Sequence, residues 1–352
     1  MSTAESDLRV LHESLLDFVT ALFEEAGGCP PGHASTIAEC LVQSNLWGID
    51  SHGVIRIPEY LDRFRNGAMN RNPTFRTRSV RGGLEVIEGD NAAGYIAGRH
   101  AMERAIVLAR DHGVATVGIV ESNHCGATAL YARQAAAQGM VGIAMTNVAP
   151  NMSMPGVTRP ITGNNPIAIA VPTFGAFPFS LDISLSAVAG GKLLVAAKRG
   201  ESIPLGWATD ADGNPTTDAK AGFDGFLLPM GGHKGFGLSL AVDLLCGVIT
   251  GGAFQDHIKS MYRYPGDPSR TAHLMLALDP LALMPEDRLR ARMEAFVATL
   301  KATPVNPGAP EILLPGELEY RTEQERKRHG IPLPVRVVDD LNRIGTEINR
   351  SI

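Results

Sequence analysis

The segment 166–183 (PIAIAVPTFGAFPFSLDI) carries the clearest information about the fold. Two short apolar runs, 166–171 and 177–183, flank a turn at 173–176, and this pattern is typical of a β-hairpin. A third strand-like run, 141–146, precedes them, and the Pro/Gly-rich residues between it and the hairpin leave no room for a crossover helix. Parallel neighbours need such a crossover. We therefore expect a mixed, largely antiparallel sheet.

Outward from this hairpin, strand-like and helical patterns alternate. Further strands are predicted at 84–87, 115–120, 226–228 and 272–278. Helices are predicted between them at 97–110, 127–138, 186–198 and 236–249. Both chain ends are helical in pattern, at 8–23, 34–45, 57–66, 285–301, 318–328 and 335–349. Each terminal helix has one apolar stripe to bury, so the class is α/β (α+β), with a helical domain from 1–80 and 285–352 and a sheet domain from 81–284.

The composition is that of an ordinary globular enzyme, since 44% of the 352 residues are hydrophobic and 20% are charged. A formal net charge of −5 argues against a nucleic-acid or anionic-membrane partner. Residues 1–7 lack the features of a signal peptide, and the longest apolar stretch, 238–249, is too short to cross a bilayer. The four cysteines lack CxxC spacing, so no disulfide framework is suggested. We expect a cytoplasmic protein.

The fingerprint of a Rossmann dinucleotide site is missing from the sequence. The only Gly-x-Gly is Gly235-Phe236-Gly237, and Leu240 follows where the third glycine belongs. Gly191-Lys192 lacks the other residues of a Walker A loop, and no HExxH occurs. If a dinucleotide binds, it binds on another scaffold.

The stretch 51–60 (SHGVIRIPEY) brings a histidine, an arginine and a tyrosine to the start of a helix. His52 lies in the entry turn, where side chains often reach a cleft; a helix-capping histidine is the alternative. Arg56 can grip a carboxylate through two parallel hydrogen bonds, although a surface ion pair is the commoner use of an arginine. Tyr60 can share a helix face with Arg56, although a tyrosine at such a position is more often part of the core.

A second histidine stands in the stretch 122–127 (SNHCGA), between a strand-like run and a helix. Such a turn directs its residue and the helix N-terminus at one ligand position. A neutral imidazole at His124 can exchange a proton near pH 7; a turn histidine bonded to Asn123 is the alternative. A proton donor and a cation for a carboxylate are what the reduction of a 2-oxo acid requires.

Two further stretches suit a cofactor. Residues 229–237 (PMGGHKGFG) open a helix with Lys234 at its N-terminus, which favours a phosphate group; a flexible connection is the alternative. Asp182 ends a strand and can accept hydrogen bonds from a ribose hydroxyl, or it can cap a helix beginning near Ser186.

Taken together, these stretches resemble the malate/L-lactate dehydrogenase family of NAD(P)-dependent oxidoreductases, which is unrelated to the Rossmann-type lactate and malate dehydrogenases. The resemblance covers nearly the whole chain, up to residues 314–317, and its motifs follow in order. They are 51–60, 123–126 (NHCG), 146–147 (TN), 163–166 (GNNP), 203–208 (IPLGWA), 212–218 (DGNPTTD) and 229–235.

The resemblance implies a non-Rossmann NAD(P)-binding domain with a largely antiparallel sheet, a helical domain from both chain ends and a homodimer. It implies hydride transfer to or from C2 of a small 2-oxo or 2-hydroxy acid such as malate, lactate, ureidoglycolate, sulfolactate or 2,3-diketogulonate, with NAD or NADP as cofactor. The implied catalytic residues are His52 and His124, and the implied substrate-binding residues are Ser51, Arg56 and Tyr60. The implied cofactor-binding residues are Pro178, Phe179, Ser180, Leu181, Asp182, Ile183, Ser184, His233, Lys234, Gly316 and Glu317.

Two departures from the family pattern bear on the substrate. Val148 stands where the family often has Ser or Thr near the nicotinamide, and Asn164 replaces the usual Thr of Gly-Thr-Asn-Pro. One branch of the family reduces cyclic imines, the piperideine- and pyrroline-2-carboxylates, and an apolar Val148 suits a ring carbon. That activity is the alternative.

Two rivals come from other classes of protein. A hydrolase could bind a metal through His52, His124 and His233, although their spacing fits no short metal motif. A non-catalytic binding protein is disfavoured because His52, Arg56, His124 and Lys234 all occur together. No metal is expected.

Overall fold

The computed structural model describes residues 7–352. Its helices are α1 (His12–Ala21), α2 (Pro31–Leu46), α3 (Ile57–Arg65), α4 (Gly94–His112), α5 (Ala129–Ala136), α6 (Gly190–Arg199), α7 (Ala219–Asp224), α8 (His233–Asp243), α9 (Glu286–Lys301), α10 (Glu317–His329) and α11 (Val335–Gly345). Its strands are β1 (Leu8–Val10), β2 (Arg76–Arg81), β3 (Leu84–Ala92), β4 (Val114–Ser122), β5 (Val141–Thr146), β6 (Ile167–Val171), β7 (Phe179–Ile183), β8 (Ala208–Thr209), β9 (Pro215–Thr216), β10 (Phe226–Leu227), β11 (Thr271–Leu278) and β12 (Ile331–Leu333). Within residues 7–352, no helix is both long and apolar enough to cross a membrane.

The central sheet has seven strands in the order β2-β3-β4-β11-β5-β6-β7. Only β3 and β4 pair in parallel, and α4 supplies the crossover between them. The hairpin expected from the sequence is present, with Ile167 opposite Ile183 and Val171 opposite Phe179. The prediction of a mixed, largely antiparallel sheet is therefore confirmed.

The strand directions bring several sequence motifs to one edge of this sheet, which we call the upper edge. Strands β4 and β5 end there, at Ser122 and Thr146, because both run antiparallel to β11. Strand β6 begins there at Ile167, and β7 ends there at Ile183. The residues that follow or precede these positions, 123–127, 147–148, 163–166 and 184–186, therefore gather at the same edge.

Three apolar cores pack on the two faces of the sheet and join the two chain ends, and a fourth lies among α6, α7, β8 and β10. One face of the sheet packs on α4 and α5, largely through alanines, and the other face packs on α8 and the π-helical turn Leu244–Val248 that follows it. A third core joins α1, α2 and α3 to α11 and β12 at the other end of the chain. This joint core supports the proposed helical domain; its boundaries at residues 80 and 285 stay a prediction, and residues 1–6 of that domain lie outside the described chain.

Two predicted elements begin later than their patterns suggest. Residues 8–10 of the first predicted helix form β1, which pairs with β12; a partner more than 300 residues away leaves no local signal. The helix predicted from Ser186 begins at Gly190, because Ala187 N donates to Leu228 O at 2.7 Å and the Ser186 hydroxyl donates to Val188 O at 2.8 Å. The short strands β2, β8, β9 and β12 were not predicted.

Gly94, the first residue of α4, packs closely against the backbone of the upper edge, so a substitution at this position tests that packing. A Cβ at this position would lie 2.3 Å from Asn123 O and 2.5 Å from His124 O. We expect Gly94→Ala to lower the free energy of unfolding by roughly 1–3 kcal/mol, because the backbone before α5 must shift.

The matched control is Gly32→Ala, at an exposed position in the first turn of α2, where a Cβ meets nothing within 4 Å. This substitution should raise stability by about 0.4–1 kcal/mol. Denaturant unfolding of both variants checks the expectation. Equal shifts in the two variants would contradict the close packing described for Gly94.

Candidate active site

The turn that carries His124 is fixed by Asn123, which is fully buried at the upper edge. Asn123 Nδ2 donates to Asn91 O at 3.1 Å and to Ala92 O at 2.9 Å. Asn123 Oδ1 accepts from Arg63 Nη2 at 2.8 Å. The side chain thus ties the end of β4 to the end of β3 and to α3, and His124 has a defined place between them.

Arg63 links the same turn to a further segment, residues 264–269. Its side chain is 2% exposed, although it is a cation. It donates to Pro265 O at 3.1 Å, to Asp267 O at 3.0 Å and to the Ser269 hydroxyl at 3.2 Å. A buried charge must be paired or hydrogen-bonded, and here carbonyl and hydroxyl oxygens do this. The 264–269 segment is therefore held against α3 beside the site.

The structure brings His52 and His124 together. Their rings are stacked, with centroids 5.5 Å apart and planes 19° apart. Each ring uses Nδ1 for a hydrogen bond within the protein. The Ser51 hydroxyl lies 2.9 Å from His52 Nδ1, and the Tyr60 hydroxyl lies 2.5 Å from His124 Nδ1. Among residues 7–352 neither Nε2 has a hydrogen-bond partner, so Nε2 is the ring atom left for a ligand.

A chain of hydroxyls continues from Tyr60. The Tyr60 hydroxyl donates to the Tyr95 hydroxyl at 3.4 Å, and that group donates to His52 O at 3.4 Å. A carbonyl only accepts, so the donors run from His124 Nδ1–H through the two tyrosines to His52 O. This assignment, made from the hydrogen-bond network, leaves a lone pair on His124 Nε2.

Both histidines are neutral at pH 7. Burial, with a smaller contribution from the charge of Arg56, lowers the pKa of His52 from 6.5 to about 4. Burial lowers the pKa of His124 as well, and His52 and Arg56 add to the effect. Burial raises the pKa of Tyr60, so its phenol stays protonated. The pair can therefore accept a proton at Nε2 and return it.

Arg56 lies beside the histidines with part of its guanidinium already in use. Arg56 Nε donates to Ser51 O at 2.7 Å, and Arg56 Nη1 lies 3.6 Å from Glu59 Oε1. The guanidinium also sits 5.6 Å from the ring centre of Tyr262. The sequence suggested a cation free to make two parallel hydrogen bonds; the structure leaves the Nη edge as the part that faces a ligand.

The three stretches expected to bind a cofactor are neighbours in the structure. Ser180 N donates to Pro315 O at 2.9 Å, which places 314–317 beside β7. Met230 N donates to Leu185 O at 2.9 Å, which places 229–234 beyond the end of β7. The three stretches therefore form one continuous surface that begins at the upper edge.

This surface fits a dinucleotide. His233 and Lys234 are exposed in the first turn of α8, and a Cβ at Gly231 or Gly232 would meet nothing within 4 Å. A helix N-terminus with a lysine and open backbone suits a pyrophosphate. At Gly316 the backbone has φ +95°, and a Cβ would lie 2.9 Å from Pro178 O, so only glycine fits there.

Two of the predicted cofactor residues have their carboxylates engaged by the protein. Asp182 accepts from the Thr128 hydroxyl at 2.6 Å and from Ala129 N at 2.9 Å, so it caps α5. The sequence offered a helix beginning near Ser186 as the one that Asp182 caps. This prediction is wrong, because that helix begins at Gly190 and Asp182 caps α5. Glu317 is buried and lies 2.5 Å from both Lys301 and Arg321. Their roles toward a cofactor stay predictions.

Val148 and Asn164 occupy the turns that meet at the upper edge. Val148 N donates to Asn165 Oδ1 at 2.9 Å, which fixes the backbone while the side chain stays apolar. Asn164 Nδ2 donates to the Ser184 hydroxyl at 3.0 Å. Asn164 thus ties the turn before β6 to the end of β7.

His233 does not join the other two histidines, since it lies exposed at the start of α8. Within residues 7–352 no three His, Cys, Asp or Glu side chains are grouped to hold a metal ion. The metal-hydrolase hypothesis therefore lacks a ligand set in the described chain.

A cavity with a volume of about 810 Å³ lies elsewhere, between α2, α5, α10 and the 172–178 turn. Of the predicted site residues it is lined only by Pro178. The histidine pair is therefore not part of it, and we assign the site from its chemistry rather than from cavity size.

Sequence reasoning missed several residues of the site. His273 is buried and bridges the Thr146 and Ser122 hydroxyls, with Nδ1 and Nε2 at 2.7 and 2.9 Å. Its signal was a lone polar residue in the apolar strand β11. Tyr95 and Tyr262 gave no signal, because only the tertiary fold brings them to residues 52–60.

His273 makes the stability of the fold depend on pH. Burial lowers its pKa from 6.5 to about 4, so its contribution is full above pH 6.5 and is lost as the pH falls toward 4. We expect the free energy of unfolding to fall by about 1.4 kcal/mol per pH unit over this range on account of His273. Denaturant unfolding at pH 7, 6 and 5 gives the slope of the free energy of unfolding against pH. In His273→Asn this slope should be smaller by the contribution of one proton, about 1.4 kcal/mol per pH unit. A slope equal to that of the wild type would contradict this role of His273.

Comparison with known proteins shows the family to which this chain is related. The malate/L-lactate dehydrogenase family profile matches residues 10–342. Malate dehydrogenase of Pyrococcus abyssi is 36% identical over 98% of this chain and 96% of its own. Ureidoglycolate dehydrogenase (NAD(+)) of Escherichia coli is 35% identical over 88% and 87%, and (2R)-3-sulfolactate dehydrogenase (NADP(+)) of Chromohalobacter salexigens is 36% identical over 90% and 92%.

Two solved structures extend the likeness to the fold. Sulfolactate dehydrogenase from Methanocaldococcus jannaschii matches with a TM-score of 0.91 and 32% identity over 98% of both chains. Delta1-piperideine-2-carboxylate reductase from Pseudomonas syringae matches with a TM-score of 0.85 and 30% identity over 96% of this chain and 99% of that one. From its motifs, its fold and these relatives, the chain belongs to the malate/L-lactate dehydrogenase family.

Proposed function

We propose that this protein is an NAD(P)-dependent dehydrogenase that transfers a hydride to or from C2 of a small 2-oxo or 2-hydroxy acid. The observation that carries the proposal is the neutral His52–His124 pair beside Arg56. Relatives named for malate, sulfolactate and ureidoglycolate support this substrate class. Relatives of both NAD and NADP type support either cofactor.

Each residue has a separate task. Bound NAD(P) supplies or accepts the hydride. Arg56 binds the substrate carboxylate and so fixes which face of C2 is presented, a positioning effect that supplies several kcal/mol. His124 Nε2 accepts the proton of the 2-hydroxyl in oxidation. In reduction the neutral ring first takes up a proton from solvent at Nε2 and then passes it to the substrate oxygen. The Tyr60 hydroxyl accepts the hydrogen bond from His124 Nδ1–H in both states and keeps the ring in this orientation.

The surface around residues 178–184, 233–234 and 316–317 is the proposed cofactor site. Lys234 in the first turn of α8 is suited to a phosphate. The backbone at Gly316 lies against Pro178 and Ser180, which holds 314–317 beside β7, while the open backbone at Gly231 and Gly232 leaves room for a dinucleotide. Asp182 contributes by holding β7 to α5 close to the His124 turn.

The alternative is reduction of a cyclic imino acid. The likeness to piperideine-2-carboxylate reductase and the apolar Val148 favour it. The imine nitrogen is itself basic, so this reaction depends less on a strong proton donor. The curated relatives support the 2-hydroxy acid more broadly.

The activity is tested by assaying NADH and NADPH oxidation with oxaloacetate, pyruvate, sulfopyruvate and piperideine-2-carboxylate. We expect turnover of an open-chain 2-oxo acid. On the best substrate, His124→Asn should lower kcat about a hundred-fold or more, because the proton donor to the substrate oxygen is lost. His52→Asn should have a smaller effect, because His52 packs on the ring of His124.

The matched control is His112→Asn, an exposed histidine at the end of α4. It should keep the wild-type kcat. The mechanism would be wrong if His124→Asn also kept it. Turnover of the imine alone would instead establish the alternative.

The protein is proposed to be a homodimer. Helix α8 and the π-helical turn after it expose an apolar face that includes Leu238, Leu244, Val248 and Ile249. Exposed apolar patches of this kind mark interfaces, and a second copy is the proposed partner. Because Lys234 begins the same helix, the interface would lie near the cofactor surface.

Ile249, which is 72% exposed, tests this arrangement. Ile249→Glu should convert a dimer into a monomer in size-exclusion chromatography with light scattering, because a buried charge is costly. Val80→Glu is the matched control, since Val80 is 56% exposed on the edge strand β2, and it should stay dimeric. A wild-type monomer, or a dimer unaffected by Ile249→Glu, would contradict the proposal.

A cytoplasmic location is also proposed. The four cysteines are buried and none is in a disulfide, which is typical of proteins from reducing compartments. Small-molecule carboxylates are the expected ligands, and the net charge of −5 gives no support for nucleic acid or an anionic membrane as a partner.

A further inference from the structure

The cation assigned to the substrate carboxylate already faces a carboxylate of the protein. Glu59 Oε1 lies 3.6 Å from Arg56 Nη1, one helical turn along α3. The other end of the guanidinium is held by Ser51 O. The charge of Arg56 is therefore compensated before any substrate arrives.

The second oxygen of Glu59 has no partner. Glu59 Oε2 is buried and makes no hydrogen bond to any residue of the described chain. The groups that face this carboxyl are Arg56 and Asp62 on α3, and Tyr262 from the segment packed against it. Burial raises the pKa of Glu59, and the attraction of Arg56 opposes this only in part.

No other side chain of the described site offers its charge to an incoming anion. His52 and His124 are neutral at pH 7. The donors of Arg63 are directed at Asn123 and the 264–269 segment. A substrate carboxylate bound to Arg56 would thus place two carboxyl groups on one guanidinium, and neighbouring carboxylates favour sharing a proton.

We propose that Glu59 takes up a proton from solvent when a substrate carboxylate binds to Arg56, so that the two carboxyl groups share one guanidinium and one negative charge. The proposal rests on the proposed function, which assigns the substrate carboxylate to Arg56. One O–H bond forms on Glu59 as an O–H bond of a solvent hydronium ion breaks, and no bond of the substrate changes. The neutral carboxyl stays beside Arg56 without presenting a second negative charge to it.

The sign of the pH effect follows. Binding raises the pKa of Glu59 further, so binding takes up a proton at pH values between the pKa of the free state and that of the bound state. The dissociation constant for the substrate anion therefore rises with pH, by up to tenfold per unit, between the pKa of the free state and that of the bound state. Below both values, binding is independent of Glu59.

Calorimetry with oxamate, an inert 2-oxo acid analogue, tests this on the NADH-saturated enzyme. Titration in two buffers of different ionisation enthalpy counts the protons taken up on binding. We expect the uptake to be smaller by about one proton in Glu59→Gln than in the wild type. At high pH the variant should bind oxamate about tenfold more tightly, because no carboxylate competes for Arg56.

Glu24→Gln is the matched control, because Glu24 is exposed in the helical turn Leu22–Ala26 and is not among the groups that face Glu59. It should keep the wild-type uptake. Glu59→Ala removes the same charge without adding an amide, and it should repeat the loss of one proton if Glu59→Gln folds poorly.

The outcomes separate this inference from the proposed function. Equal proton uptake in the wild type and in both Glu59 variants would overturn the role of Glu59 and assign the proton to another group, such as His124, while the function stands. A wild type that does not bind oxamate in the presence of NADH would instead count against the proposed function, and this inference would fall with it.

Discussion

The hydrogen bond between the Tyr60 hydroxyl and His124 Nδ1 is the contact on which the site depends. Tyr60 belongs to the core built by the two chain ends, and His124 belongs to the upper edge of the sheet. The bond therefore joins the core of the two chain ends to the upper edge of the sheet, through the ring that we propose as the proton acceptor. The hydrogen bonds continue from Tyr60 through Tyr95 to His52 O, and His52 belongs to the same stretch as Arg56.

Burial determines the protonation state of the two histidines. In water an imidazole is partly protonated near pH 7, but burial and neighbouring cations keep His52 and His124 neutral. The buried Arg63 adds to this effect and at the same time fixes Asn123. A proton acceptor and a carboxylate-binding cation can then lie side by side, because the acceptor carries no charge of its own.

Much of this arrangement was predictable from the sequence, and the reason is local. The hairpin of β6 and β7 and the helices of both ends have clear periodic patterns. His52, Arg56 and Tyr60 fall within a few residues of one another, so a shared face of α3 could be inferred. His124 was found because it follows a strand and precedes a helix.

The remaining features depend on contacts that are distant in sequence. The pairing of β1 with β12 joins the two chain ends. Asp182 caps α5 rather than the helix that follows it in sequence, because β7 lies beside α5. Tyr95, Tyr262 and His273 reach the site only through the tertiary fold. The spacing of Arg56 and Glu59 along α3 indicates that the two residues are neighbours. It does not indicate that one oxygen of Glu59 lacks a hydrogen-bond partner in the described chain.

The central claim is that His124 is neutral, with its proton on Nδ1 and a lone pair on Nε2. Nitrogen-15 NMR of histidine-labelled protein at pH 7, with the signals assigned by comparison with His124→Asn, measures this directly. We predict a neutral ring that carries its hydrogen on Nδ1, and a loss of this single tautomer in Tyr60→Phe. An imidazolium at pH 7, or a neutral ring with its hydrogen on Nε2, would contradict the account.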